Sequence, residues 1–540
     1  MLDFVAHLEF ERGLSRNTLE AYRSDLLQYG EFLAGRGLDA RAVAPADVAD
    51  FLASLTGADG APASPATVHR KQASLRSFHR HLRREGIAAA DPYQNTRDLI
   101  RVEDGKLIIG SERIPRRSIP EIGSLGLPKM PTSQEPLVFD LSRVNNIYVV
   151  GGGKAAQSMA QAIEDALGDR ITGGHINAKK GDEVYLERIG VTLAGHPIPD
   201  EDSVAGAQRI LAIEQKARAG DIVFLSESGG GSALMALPAP GITLEDLQEV
   251  YRILYFQCGA PMPVANAVRN LLTILRLKHA RHVRGATLIQ VATPEEPPKV
   301  RTHLNKPPEN GDPYEHAIAI LEHYGCWETV PESVRAYLLR ADPQYGPLRL
   351  DEWRGENKHY FRVMGPEVML DAALAKAAEM GVPATVLASS LNDIEAQAAG
   401  EVLAHIAQEI ETLDRPLPAP HVLMCGGELV VATGDEPGIG GRNEEFVLST
   451  VARIAGSPRV VVGSADSDGS DGPTNVAGAI ADGETAARAA ALGVDVAEAL
   501  RRHDSHTALK ALGDTIDTGI LNTNVRDLRV IYVAGKRCEV

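Results

Sequence analysis

The chain has 540 residues and a mass of 57.7 kDa, more than one hydrophobic core serves, so three or more domains are expected. With 44% hydrophobic and 24% charged residues it has the composition of a soluble globular protein, and no apolar run approaches the roughly 18–20 residues that would span a bilayer. The 55 basic and 72 acidic residues leave a net charge of -17, which excludes general nucleic-acid binding and requires focused cations or a divalent metal for any phosphorylated substrate.

The start, Met1-Leu2-Asp3-Phe4, has no basic region or small-residue cleavage site, so a cytoplasmic protein is expected. Residues 1–90 hold 11 basic and 11 acidic residues, so the acidity belongs to the rest. They predict short amphipathic helices. Ser15 is an N-cap, followed by Leu19, Tyr22, Leu26, Tyr29 and Leu33 at spacings of three and four. Pro45 and Asp47 open a second helix ending near Leu55, and Ser64-Pro65 opens a third with Val68, Leu75, Phe78 and Leu82 on its apolar side. That third helix carries Arg70, Lys71, Arg76, Arg80, Arg83 and Arg84, a run that reads either as a solvated face or as phosphate-backbone contact with DNA. Phe4 to Leu33, with its Glu11-Arg12-Gly13-Leu14-Ser15-Arg16-Asn17-Thr18 stretch, and the helix around His69 to Arg84 resemble the N-terminal core-binding domain of Xer-type tyrosine recombinases. The resemblance implies a small all-α domain over 1–90 and DNA as a partner. The family's Arg, His-x-x-Arg and tyrosine nucleophile are not found downstream, and Tyr532 lies in an apolar, strand-like run, so strand exchange is excluded.

After Pro92 strands and helices alternate, the pattern of layered α/β domains. Strands are expected at Asn146–Val150 and Asp221–Leu225, with a helix at Lys154–Leu167 and helices at Leu244–Phe256 and Val264–Arg281. Residues 293–360 contain long excursions. A strand at Thr385–Ala388 and a helix through Ile410 close a first α/β domain at 91–414. Residues 415–420, rich in proline, read as a linker to a second α/β domain at 421–536, with strands at Val422–Met424, Leu429–Ala432, Val460–Val462 and Leu528–Val533. Cys258, Cys326, Cys425 and Cys538 are far apart, suiting neither a disulfide framework nor a zinc site.

Three glycine-rich elements carry the chemistry. Gly151-Gly152-Gly153-Lys154-Ala155-Ala156 opens a helix whose N-terminus favours an anion; it also reads as the G-x-G-x-x-A dinucleotide turn, though no acid follows at the spacing that would hold a ribose. Ser228-Gly229-Gly230-Gly231-Ser232 follows a buried strand, where bare backbone suits contact with phosphate. In Gly438-Ile439-Gly440-Gly441-Arg442-Asn443, Arg442 can clamp a phosphate or carboxylate, or pair with an acid of the fold. The cluster Asp466-Ser467-Asp468-Gly469-Ser470-Asp471-Gly472 offers hard oxygen ligands for Mg²⁺ or a base for a hydroxyl, or else is a solvated turn. His196, in Gly195-His196-Pro197-Ile198-Pro199-Asp200, reads as a hydrogen-bonding loop residue before it reads as a base, and Asp200 as an N-cap.

These words, with Asn266-Ala267-Val268-Arg269, Gly426-Gly427-Glu428 and Thr523-Asn524-Val525-Arg526-Asp527-Leu528, resemble the glycerate 2-kinases that end in a MOFRL domain, in family order over about residues 91–536. The resemblance implies two Rossmann-like α/β/α domains with a cleft between them, and transfer of the ATP γ-phosphate to the 2-hydroxyl of D-glycerate with Mg²⁺. It assigns charge stabilisation to Lys154 and Arg442, and substrate or phosphate binding to Gly152, Gly153, Ser228, Gly229, Gly230, Gly231, Ser232, Asn266, Arg269, Glu428, Gly440, Gly441 and Asn443. Asp468 and Asp471 are the expected metal ligands, with Asp471 also a catalytic residue. The family's Lys-Gly-Gly word after Asn266–Arg269 and the acidic segment beyond it are missing, which leaves the metal ligands open. Two alternatives stand: an NAD(P)H-dependent hydroxypyruvate reductase, resting on the glycine turn, and a DNA-binding protein with an inactive kinase-like body.

Overall fold

The computed structural model describes residues 16–36, 51, 54, 55, 71, 92–110, 135–260, 262–293, 312–348, 357–392, 394–433, 438–519, 521 and 523–536. The chain divides into two compact units, 1–89 and 90–540. In the first, helix α1 (Arg16–Gly35) buries Leu26, Tyr29 and Leu33, and the Tyr29 ring meets Phe51 edge-on at 5.0 Å. Lys71, expected to face DNA, is instead buried, with its ammonium 2.9 Å from the buried carboxylate of Asp25. An ammonium and carboxylate removed from water together neutralise each other, so this lysine is not offered to a phosphate. Arg70, Arg76, Arg80, Arg83 and Arg84 lie outside the described residues, as does the rest of the expected third helix.

The second unit is mixed α/β. It opens with α2 (Pro92–Leu99) and an antiparallel meander, β1 (Ile100–Glu103), β2 (Lys106–Ile109) and β3 (Leu137–Asp140). There follow β4 (Ile147–Gly152), α3 (Ala156–Leu167), β5 (Gly173–Lys179), β6 (Gly190–Ala194), α4 (Glu201–Lys216), β7 (Ile222–Ser228), α5 (Leu244–Tyr251), α6 (Met262–Arg269), β8 (Thr287–Thr293), α7 (Pro313–His323), α8 (Glu332–Arg340) and β9 (Lys358–Arg362). The six strands from β4 to β9 form one parallel sheet in the order β6-β5-β4-β7-β8-β9.

Strand alternation explains the helices on both faces. Ile147, Val149, Ile222 and Phe224 pack against Ala156, Met159 and Ile163 of α3, while Tyr148, Val150, Val223 and Leu225 pack with Ala207 and Ile210 of α4. The strand order reverses between β4 and β7, so the loops that follow these two strands leave the carboxyl end of the sheet at its topological switch point. Helices α5 to α8 close a separate core around Leu247, Val250, Val268, Tyr314, Leu321 and Tyr337. The helix expected over Val264–Arg281 ends at Arg269. Beyond it, the buried Lys278 ammonium takes the carbonyls of Asn270, at 2.9 Å, and Tyr345, at 2.6 Å, and so holds a turn in place of further helix.

The second sheet is built from α9 (Pro366–Glu379), β10 (Ala384–Ala388), α10 (Ala396–Leu413), β11 (His421–Gly427), α11 (Arg442–Ile454), β12 (Val460–Asp466), β13 (Gly478–Asp482), α12 (Ser505–Leu512), β14 (Thr515–Ile516) and β15 (Asp527–Val533). Its order is β10-β11-β15-β12-β13-β14; β10 and β11 are parallel, whereas β15 runs antiparallel to both β11 and β12. This is a mixed sheet, in which only β10 and β11 are parallel. Helices α10 and α11 cover one face through Leu403, Ala407, Phe446 and Val451, and α9 covers the other through Leu370 and Ala377. Because β10 bonds to β11, the stretch expected in a first domain ending at 414 pairs with the second sheet. Leu429–Ala432 is not a strand; Val430 makes a single bridge to Glu395. Among the described residues, no helix is long and apolar enough to cross a membrane.

Candidate active site

The loops after β4 and β7 interlock at the point where the strand order reverses. Lys154 N donates to Gly229 O at 2.9 Å, and Ala155 N donates to Ser228 Oγ at 2.8 Å. Gly153 has φ of +135°, and a Cβ there would overlap the Ser228 side chain; one on Gly151 would overlap the carbonyl of Ser226. Side chains are excluded because two backbones approach this closely. Gly230, at φ of +86°, turns the chain into a single helical turn, Gly231–Leu234. Ser232 offers its carbonyl to the Tyr251 hydroxyl at 2.6 Å, and the Arg269 guanidinium stacks on that tyrosine ring, 3.1 Å from its centroid. Asn266, one turn earlier on α6, has a buried Oδ1 with no hydrogen-bond partner among the described residues.

In the second sheet the antiparallel register sets Asp466 of β12 directly opposite Asp527 of β15. Two carboxylates so placed repel unless a cation lies between them, and Arg442 is that cation. Its Nε and Nη2 donate to the two oxygens of Asp527 at 2.8 Å each, Nη2 also donates to Asp466 Oδ2 at 2.6 Å, and Nη1 lies 3.2 Å from Glu428 Oε1. Burial works against the guanidinium's charge, but Asp527, Glu428 and Asp466 hold it firmly protonated. Burial likewise opposes the charge of Asp527, which Arg442 and the fully buried Arg529 outweigh, keeping that carboxyl below its usual range.

Asp471, expected to be catalytic and a metal ligand, has a different place. Its Oδ1 accepts from Asn443 N and Nδ2, both at 3.1 Å, and its Oδ2 accepts from Glu444 N at 2.8 Å. Both oxygens therefore cap the N-terminus of α11, where orphan N–H groups need acceptors. Gly440 and Gly441 lie against Ser505 and Asp471, so close packing of the loop accounts for both glycines. Asn443 is fully buried and accepts from Ser464 Oγ at 2.5 Å.

One chain of charges links the two sheets. Lys154 Nζ lies 2.5 Å from Asp468 Oδ2; Asp468 N donates to Asp466 Oδ1 at 3.0 Å; Asp466 in turn accepts from Arg442. Lys179 of β5 adds a bond to Ser470 Oγ at 3.1 Å. Burial pushes the Asp468 carboxyl up, but Lys154 outweighs it and holds the pKa at about 2. Asp466 goes the other way, raised well above its usual range by burial and by the charge on Asp468. Lys154 is raised, because Asp468 and Asp466 outweigh its burial. Among the described residues no three His, Cys, Asp or Glu side chains converge to cage a metal. Asp466 and Asp468 supply two neighbouring carboxylates, which fits Mg²⁺ when phosphates provide its other ligands.

The expected residues thus fall into two groups joined by one ion pair. Lys154 and the Gly152, Gly153 and Ser228–Ser232 loops come from the first sheet; Arg442, Glu428, Asn443 and Asp468 come from the second. The sequence offered Asp466 only as part of an acidic cluster, with no role of its own, and gave Asp527 no site role, although it stands in a quoted word at a strand end. Lys179 and Arg276 gave no local signal at all: Arg276 pairs with Glu227 beside Gly231, an arrangement that depends on strands and loops distant in the chain.

The chain matches the model of a domain of unknown function, DUF4147, at residues 78–339, the MOFRL family at 421–527, and the phage integrase N-terminal SAM-like domain at 2–86. It is 35% identical to a glycerate 2-kinase of Pyrococcus horikoshii over 84% of this chain and 96% of that protein. A protein of Agrobacterium vitis named putative hydroxypyruvate reductase is 35% identical over 71% of this chain and 86% of its own length. A crystal structure of a glycerate kinase from Thermotoga maritima superposes with a TM-score of 0.57 at 33% identity, covering 73% of this chain and 92% of that one. With the MOFRL match and near-complete coverage of such relatives, the chain belongs to the glycerate 2-kinase family.

Proposed function

We propose that this chain transfers the γ-phosphoryl group of ATP to the 2-hydroxyl of D-glycerate, giving ADP and 2-phosphoglycerate. The observation that carries this reading is the chain Lys154–Asp468–Asp466–Arg442, which brings two half-buried cations from separate sheets to one place. Phosphoryl transfer is mostly positioning and neutralisation of charge on the equatorial oxygens, and two preorganised cations supply that. In this reading the two α/β layers are Rossmann-like halves around a cleft, and residues 1–90 are a small helical domain. Gly152, Gly153 and the Ser228–Ser232 loop line the phosphates. Asn266 and Arg269 receive the glycerate carboxylate, consistent with the buried Asn266 Oδ1. Glu428, Gly440, Gly441 and Asn443 hold Arg442 and the start of α11. Asp468 and Asp466 would hold Mg²⁺, which when bound neutralises charge on the phosphates. Asp471 is a positioning residue in this scheme, since its oxygens are occupied by α11.

The reductase reading loses its support. Gly151 and Gly153 are required by close approach to Ser226 and Ser228, so the glycine turn needs no dinucleotide to explain it. The DNA-binding reading is not carried forward, because Lys71 is paired with Asp25. A coupled assay with ATP and each glycerate enantiomer, beside an NADH assay with hydroxypyruvate, tests the proposal. ADP and 2-phosphoglycerate from the D-enantiomer are expected. NADH oxidation without ADP formation rejects the kinase.

A further inference from the structure

His196 follows β6 in a loop that is pinned at several points. Gly195 N donates to Asp200 Oδ1 at 2.9 Å, Asp200 caps α4 through Ser203, and Gln248 of α5 donates to the carbonyl of Pro199 at 2.9 Å. So held, the imidazole reaches the interlocked loops. A methyl group placed on Gly230 would lie 3.1 Å from His196 Cδ2, 3.2 Å from His196 Nε2 and 3.4 Å from Lys154 Cγ. The imidazole edge and the lysine stem therefore flank the same stretch of bare backbone, and the histidine is only half-buried. The charged groups around it are Lys154 after β4, Lys179 of β5, Arg269 of α6 and Asp468 after β12. Its partial burial and the three cations outweigh the one anion, which leaves the imidazole neutral with a lone pair available.

The carboxylates of the charge chain are committed to cations, and Asp471 to a helix end. Asp468 holds Lys154 and Ser470, Asp466 and Asp527 hold Arg442, and Asp471 caps α11. We infer that His196 is a catalytic base of this site, receiving the proton of the acceptor's 2-hydroxyl at the loop where Gly230 and Lys154 meet. The inference rests on the kinase reading above. In the step, the acceptor O–H bond breaks and its proton passes to the imidazole nitrogen. The freed oxygen pair forms the bond to the γ-phosphorus as the bond to the β,γ-bridging oxygen breaks, and ADP leaves with that electron pair. The imidazolium then returns its proton to water.

The test uses the full-length enzyme with ATP and D-glycerate. His196→Ala is expected to lower kcat by about 10²-fold, the usual worth of a positioned base, with the Kd for ATP changed less than threefold. Added imidazole is expected to restore turnover of His196→Ala in a saturable way, which a merely structural histidine would not allow. His196→Gln, close in size, serves if the alanine variant does not fold, and the same loss of kcat with ATP affinity kept supports the inference. Turnover within threefold of the unmodified enzyme in either variant overturns it. So does a slow alanine variant with no response to imidazole. If the unmodified enzyme forms no 2-phosphoglycerate, the kinase reading fails, and the base assignment falls with it; normal activity in the unmodified enzyme separates the two failures.

Discussion

Lys154, Arg442 and Asp471 show how far a residue's type in a motif predicts its work. Lys154 and Arg442 stood out as candidates because each is a cation beside consecutive glycines, and the alternative named for Arg442, pairing with acids of the fold, is what the structure shows. Asp471 sits in the same acidic word as Asp468 and is chemically identical to it, yet it caps a helix, because only the folded chain brings α11 onto it. Asp471→Ala leaves two buried backbone donors without an acceptor and is expected to cost about 2–3 kcal/mol in urea unfolding. A catalytic Asp471 would instead lower kcat at unchanged stability. Lys154→Ala is expected to lower kcat by about 10²-fold or more. It should also weaken a pH dependence. With Lys154 present, Asp468 titrates at about 2, below its unfolded value, so its contribution to stability is present above about pH 4 and lost as pH falls through 2. Without the lysine only the Ser470 hydrogen bonds still oppose burial, so less stability is gained as pH rises from 2 to 4. Urea unfolding at pH 2.5 and pH 4.5 compares the two proteins. Arg442→Lys keeps the charge but loses the fork that spans Asp466 and Asp527, and a loss of about 3–5 kcal/mol is expected from leaving buried carboxylates poorly paired. A thermal melt checks it.

At the scale of elements, periodicity marked α1, α3, α10 and the buried strands β4 and β7 well, since each carries its own alternation or helical stripe. It failed where a long-range partner decides the outcome. The helix expected through Arg281 ends at Arg269 because Lys278 draws carbonyls from Asn270 and from Tyr345, a residue far along the chain. Leu429–Ala432 is apolar enough for a strand, but it finds only a single bridge to Glu395. The interlock of the β4 and β7 loops leads to a prediction at this scale. Gly153→Ala brings a Cβ into Ser228 at a backbone conformation that alanine avoids, so the loops must separate. The expected result is a kcat lower by about 10-fold or more, from misplacement of Lys154, with helical content by circular dichroism unchanged.

For the whole molecule, residues 1–89 and 90–540 are separate compact units, and the charge assigned to the site lies within the second. Residues 90–540 expressed alone are therefore expected to phosphorylate D-glycerate with a kcat within about twofold of the full chain; a larger loss would give the first unit a part in the enzyme's stability or turnover. The sequence by itself determined the α/β class and the glycine turns, and named Lys154 and Arg442 as candidates, because those rest on local periodicity and on short words of adjacent residues. Only the tertiary structure decided that β15 enters the second sheet antiparallel between β11 and β12, and that β10 pairs with the second sheet. It also decided that Asp466 and Asp527 face each other across Arg442 while Lys154 reaches Asp468. Those outcomes depend on pairing between segments that are not neighbours in the chain, and the energy of such a pairing leaves no periodic trace in either segment.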